Sequence, residues 1–358
     1  MIATSRRSRA SALVTLGLGL VLAVSACSSG GDEPDAVAVT APAVITAAKQ
    51  APPTPAVSPR WPLTGVSAAD VAERPALAIK IENPENVRPQ TGIDQADMVW
   101  EEVVEGGVTR FVAVFHSQVP DDVGPIRSVR PMDPAIASPL HGLIAFSGGQ
   151  AGFVSALANS GLQLLSNDAG NDGFYRSSDR PAPHNVHGTP TTFWAQADAD
   201  HQASPPKQFT FARSLEQATA ATAGTPASSV QVTMSGYSRP GWDWDAASGT
   251  WLRSESGIPA SAKSGTRLSA ANVVVLRVDL VNSGTVDPAG SPVPETKLVG
   301  SGEALVATGG KTIAATWSKS ATDAVLTLTT ADGTNVLLAP GQTWVELAPN
   351  GSGAVSIQ

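Results

Sequence analysis

The chain has 358 residues, 42% of them apolar and only 15% charged, which leaves room for folded domains and is too apolar for wholesale disorder. A formal charge of −8 provides no general basic surface for nucleic acid, and a single cysteine excludes a disulfide framework or a multi-thiolate metal site. With 33 Gly and 28 Pro the composition is that of a loop-rich protein rather than a helical bundle.

Arg6, Arg7 and Arg9 precede an apolar run over 10–24, followed by Val24-Ser25-Ala26-Cys27. The run is shorter than the roughly 20 residues of a membrane-spanning helix. A positive start, a short apolar segment and small residues before a cysteine resemble a lipoprotein signal peptide. The expectation is that 1–26 are removed and that Cys27 becomes the lipidated first residue, holding an exported protein on the outer face of the cell membrane. That segment carries three arginines and no acid, so its loss moves the formal charge from −8 to −11. Residues 27–60 are Ser-, Ala-, Thr- and Pro-rich without apolar periodicity and read as a disordered tether.

The first folded domain is predicted over 61–205. Strands are expected at 76–81, 97–104, 108–115 and 143–146, and a helix at 150–159 ending near Gly161. Gly106-Gly107 between two apolar runs predicts a two-residue hairpin turn. Alternating strand and helix signals make this an α+β or α/β domain. Over 206–358 the signals are strands alone, with turns such as Thr308-Gly309-Gly310-Lys311 and Ala331-Asp332-Gly333-Thr334; only 215–221 reads as helix. An all-β sandwich or barrel-like C-terminal domain follows.

A two-residue turn at Gly106-Gly107 pairs Glu101 with Val112, Val103 with Arg110 and Glu105 with Val108. It thereby places Asp97, Glu101, Glu105, Arg110 and His116 on one face and Met98, Trp100, Phe111 and Phe115 on the other. Glu102 then falls opposite Phe111, on the apolar face. The charged face is either a solvated outer surface or the floor of a cleft. Three loop segments add donors: Gly124-Pro125-Ile126-Arg127-Ser128-Val129-Arg130, then Phe174-Tyr175-Arg176 with Arg180, then Pro183-His184-Asn185. Arginine pairs in an acidic protein point to carboxylate or phosphate recognition, since the planar guanidinium binds such groups in bidentate fashion. Arginines that only tether loop carbonyls are the structural alternative. His184 and His187 lack accompanying acids, so no metal site and no cofactor is predicted. Trp242 and Trp244 share a strand face, with Trp251 on a returning strand; core packing is favoured over a glycan-stacking platform.

The run Arg88-Pro89-Gln90-Thr91-Gly92, Gln95-Ala96-Asp97, Glu105-Gly106-Gly107-Val108-Thr109-Arg110-Phe111 and Gly124 to Arg130 resembles the YerB-like lipoprotein family. Phe174-Tyr175-Arg176, Arg180 and Pro183-His184-Asn185 continue the pattern, and 300–304, 317–319 and 340–344 resemble that family's β-rich second domain. The chain departs from it with Ile81-Glu82-Asn83 for Ile-Asp-Asn and Trp100-Glu101 for Tyr-Glu. The resemblance implies a membrane-anchored, extracytoplasmic protein of two domains and supplies no reaction.

The function expected from the sequence is therefore binding of an anionic small molecule or cell-envelope component through Glu101, Glu105, Arg110, Arg127, Ser128, Arg130, Arg176, Arg180, His184 and Asn185. The other expected partner is the membrane, through Cys27. One alternative is a hydrolase or transferase on an anionic envelope polymer, with Glu101 or His184 as acid or base. Another is a glycan-binding module in the β-domain.

Overall fold

The computed structural model describes residues 58–358. The signal peptide, Cys27 and nearly all of the expected tether lie outside the described residues. Arg60, the last residue assigned to that tether, already belongs to the fold: its Nη1 donates to the Gly65 carbonyl at 2.8 Å.

The first part contributes β1 (Leu77–Glu82), β2 (Met98–Val103), β3 (Thr109–Phe115), β4 (Leu143–Phe146) and β5 (Gln163–Ser166) to one sheet. A small hairpin of β6 (Phe174–Arg176) and β7 (Val186–Gly188) stands apart. The helices α1 (Asp133–Ala137), α2 (Ala151–Ala158) and α3 (Pro190–Trp194) are short. Among the described residues, only β4, α2 and β5 form a parallel strand–helix–strand unit. The expected α+β or α/β layering is thus confined to that unit, because helices of five to eight residues cannot cover a broad sheet.

The later part extends the same sheet. The long strand Asn272–Val286 and the strand Thr343–Pro349 run parallel, and Thr343–Pro349 in turn lies parallel to β2. Beyond them come Gly300–Thr308, Lys311–Lys319 and Thr327–Thr329, all antiparallel to their neighbours. The sequence boundary at 205/206 therefore does not divide the core: the described residues, 58–358, belong to one compact unit. The later strands do not close a sandwich of their own. A second, six-stranded sheet, built mainly from Ser229–Thr233, Pro240–Asp245, Thr250–Glu255 and Ala354–Ile357, packs on one face of the shared sheet. Its Trp242 ring meets Trp344 edge-on at 5.3 Å, and Trp344 meets Phe111 at 5.4 Å. Trp242 and Trp251 are fully buried, so they serve packing and cannot stack on a glycan.

β2 and β3 are buried along their whole length. Their register differs from the two-residue-turn expectation by one residue: Glu101 opposes Phe111 and Glu102 opposes Arg110. The cause is a three-residue turn, Glu105-Gly106-Gly107, closed by the Val104 N–H donating to the Val108 carbonyl at 2.8 Å. Both glycines hold positive φ, 67° and 75°. A one-residue slip sends side chains to the opposite face. Glu101 and Arg110, expected together, stand on opposite faces of the sheet.

Candidate functional site

On the face covered by the second sheet, Glu101 lies beside its register partner Glu346. Arg253 comes down from Thr250–Glu255 between them. Its Nη2 donates to Glu101 at 2.6 Å and to Glu255 at 2.8 Å, and its Nη1 donates to Glu346 at 2.8 Å. The guanidinium lies 4.6 Å from the Trp344 ring centre and 5.3 and 5.4 Å from those of Trp242 and Phe111. Thr109 Oγ1 donates to Glu101 at 2.6 Å, and Trp242 Nε1 to Glu346 at 3.0 Å. Burial and the charge of Glu101 raise the Glu346 carboxyl well above its ordinary range. Burial would raise Glu101 too, but Arg253 and hydrogen bonds from Glu346 and Thr109 bring it below its ordinary value. Two carboxyl groups set side by side in the interior thus have their ionisation pushed apart, Glu346 upward and Glu101 downward.

Arg253 and Glu255 are the members of this cluster that line a cleft of about 570 Å³. One wall is the loop 83–90 after β1, carrying Asn83, Arg88 and Gln90. The other is Tyr237-Ser238 and 258–261; Thr109 and Phe111 of β3 lie beneath. The loop is fixed from several sides. Gln90 Nε2 donates to the Glu82 carbonyl and to Asn83 Oδ1, and the Gln90 carbonyl accepts from the Lys263 N–H at 2.7 Å. Ser235 Oγ donates to the Gly107 carbonyl, which seats the 235–238 loop on the hairpin tip. Ser238 Oγ donates to Glu255 at 3.1 Å. Tyr237 and Ile258 are exposed, 76% and 65%, at the mouth. Both halves of the chain build this cleft.

The opposite face holds most of the arginines singled out in the sequence. Arg130 clasps Glu105 through Nε at 2.6 Å and Nη2 at 2.8 Å. Glu82, opposite Arg110 in the register, pairs with Arg127 Nε at 3.0 Å and His184 Nδ1 at 2.9 Å. Arg110 Nη1 donates to the Ser128 carbonyl at 2.8 Å. Burial, with Arg130 beside it, pushes the Arg110 guanidinium down to about 10. Beneath, Lys80 is buried between Glu102 and Asp133. Burial and Asp133 push Glu102 up to about 7.

Glu105, Arg110, Arg127, Ser128, Arg130 and His184 therefore gather, while Glu101 is separated from them by the sheet itself. They form neither a solvated face nor an open floor: Glu105, Arg110 and Arg130 are all buried. Arg176 donates to Asn185 Oδ1 at 2.8 Å and Asn185 Nδ2 to the Ser177 carbonyl at 3.0 Å, so both brace the β6–β7 hairpin. Arg180 donates to the Pro89 carbonyl at 2.9 Å, supporting the cleft loop. Asp97 and His116, expected on the charged face, make a separate knot in which Asp97 accepts the N–H groups of His116 and Ser117.

Sequence reading missed Arg253, Glu255 and Glu346. The alternation Trp251, Arg253, Glu255 puts charges on the same strand face as a buried tryptophan, and Glu346 stands two residues from Trp344. That coincidence was the available signal.

The family described as "Protein of unknown function (DUF3048)" matches with its N-terminal domain over residues 63–203 and its C-terminal domain over 230–345. The chain belongs to this family. As a DUF3048 protein it is similar to the Bacillus subtilis (strain 168) protein named "Putative lipoprotein YerB", 36% identical over 140 residues. That alignment covers 38% of this chain and 42% of the relative's length. The crystal structure of YerB protein from Bacillus subtilis superimposes with a TM-score of 0.71 at 22% identity, covering 84% of this chain and all of that one. The likeness establishes a shared fold. The 570 Å³ cleft of this DUF3048 protein draws its walls from both matched domains.

Proposed function

We propose that this protein is an envelope lipoprotein, anchored through Cys27, that binds a ligand in the cleft between loop 83–90 and residues 237–261. The observation that carries the reading is that cleft: it is concave, built jointly by both halves of the chain, and floored by an ordered polar cluster with an exposed aromatic at its mouth. Binding is favoured over turnover because Glu255, the cleft carboxylate that belongs to the buried cluster, already accepts from Arg253 and Ser238. The anion-recognition reading of the N-terminal arginines has weaker support, since Arg130 and Arg127 are each paired with a glutamate. Export and lipidation rest on the sequence of 1–27 and on the name of the Bacillus relative.

Native mass spectrometry of the full chain in detergent, presented with separated envelope pools of glycans, lipids and wall-polymer fragments, tests the binding reading. A retained ligand is expected, and Ser261→Trp, which fills the cleft, should abolish its retention without changing the unfolding midpoint. Retention undiminished by that variant would overturn the assignment. Cys27→Ala should abolish incorporation of labelled lipid; persistent label would place the anchor elsewhere.

A further inference from the structure

The polar groups of the cleft select among ligand classes. Four charged side chains line it, Glu85, Arg88, Arg253 and Glu255, and they balance. Both terminal nitrogens of Arg253 already donate to carboxylates. An anionic polymer therefore finds one available cation, Arg88, and a cationic ligand finds Glu255 already compensated.

Arg88 and Glu255 are set apart in an informative way. Arg88 Nε donates to the Asn83 carbonyl and Oδ1, both at 3.1 Å, and this fixes the guanidinium at the cleft wall. Its Nη2 lies 3.8 Å from Glu255 Oε1, too far for a direct hydrogen bond. A hydroxyl placed roughly 2.8 Å from each would accept from Arg88 and donate to Glu255. A carboxylate or phosphate in that place would face Glu255 with like charge, and an ammonium would face Arg88. A neutral hydroxyl satisfies both. Asn83, Gln90, Ser238 and Thr109 continue the mixed donor and acceptor lining. Tyr237, 76% exposed at the mouth, offers a rigid ring face for the apolar side of a pyranose.

Resting on the cleft reading above, we infer that the ligand is a neutral oligosaccharide, with one sugar hydroxyl bridging Arg88 and Glu255 and one ring stacked on Tyr237. The fully buried Trp242 and Trp251 take no part.

The full chain in detergent should be screened against an array of neutral oligosaccharides, including N-acetylglucosamine oligomers. A polyglycerol phosphate and neutral peptides of similar size serve as competing classes. At least one neutral oligosaccharide should bind. Tyr237→Ala should weaken that binding roughly 3- to 10-fold and Arg88→Ala roughly 10-fold or more. Tyr237→Phe should leave it unchanged, and all three should keep the parent unfolding midpoint. Binding of the polyanion or a peptide with the same sensitivity to Tyr237→Ala would overturn the oligosaccharide and leave the cleft standing. Oligosaccharide binding indifferent to both alanine variants, or no binding in any class, would overturn cleft and ligand together.

Discussion

Arg253 is held by three carboxylates and three aromatic rings, and its removal strands charge in the interior. Arg253→Met should cost about 3–5 kcal/mol, the usual consequence of breaking a buried ion pair from one side. Adding Glu101→Gln should recover part of that loss, because the stranded charge goes with it. Urea unfolding of both variants measures this, and strictly additive losses would refute the coupling. On the other face, Glu102 and Asp133 share Lys80. Glu102 sits at about 7 against an ordinary 4.5, so the folded state keeps a proton that the unfolded chain releases. Its contribution to stability is full below pH 4.5 and is lost as pH rises through 7. Glu102→Gln removes this dependence. The stability of the parent relative to the variant should fall between pH 5 and pH 8, and parallel pH profiles would contradict the assignment.

At the level of elements, the β2–β3 hairpin shows how one turn residue redistributes chemistry. Gly106 and Gly107 are both left-handed, and a Cβ on Gly106 would meet nothing within 4 Å. Gly106→Ala should therefore cost about 1–2 kcal/mol through backbone strain alone. Gly106→Asn should cost less, since asparagine tolerates that region. Gly188→Ala is different in kind: its Cβ would lie 2.5 Å from the Phe193 ring and 2.8 Å from Ile126. A clash on a packed core adds to the cost, so thermal unfolding should rank Gly188→Ala below both Gly106 variants. The reverse order would mean that the Phe193 packing gives way freely.

For the whole molecule, the strand Thr343–Pro349 is the seam. It lies between β2 and Asn272–Val286 and is parallel to both, so each family domain depends on the other for pairing. Residues 61–205 expressed alone would present β2 as an unpaired, buried-type edge. That fragment should lack a cooperative unfolding transition, and co-expression with 206–358 should restore one. A monodisperse fragment that unfolds cooperatively would show that the halves are separable after all.

The local elements were legible from the chain itself. Leu143–Phe146 coincides with its predicted strand, and strands were expected within most of the later ones, because apolar alternation and Gly-containing turns are properties of neighbouring residues. The sequence also singled out Glu105, Arg110, Arg127, Arg130 and His184, which do gather on one side. Periodicity could not decide between a two- and a three-residue turn at Gly106-Gly107, and that choice alone determined the face on which Glu101 stands. Nor could it reveal that Glu346, 245 residues beyond Glu101, would be its neighbour, or that Arg253 would bind both. Parallel pairing across distant segments leaves no local pattern, since the partner that satisfies a buried charge is chosen by the assembled sheets. Residue types and strand identities belong to the sequence; the buried cluster and the cleft above it exist only once both halves share one core.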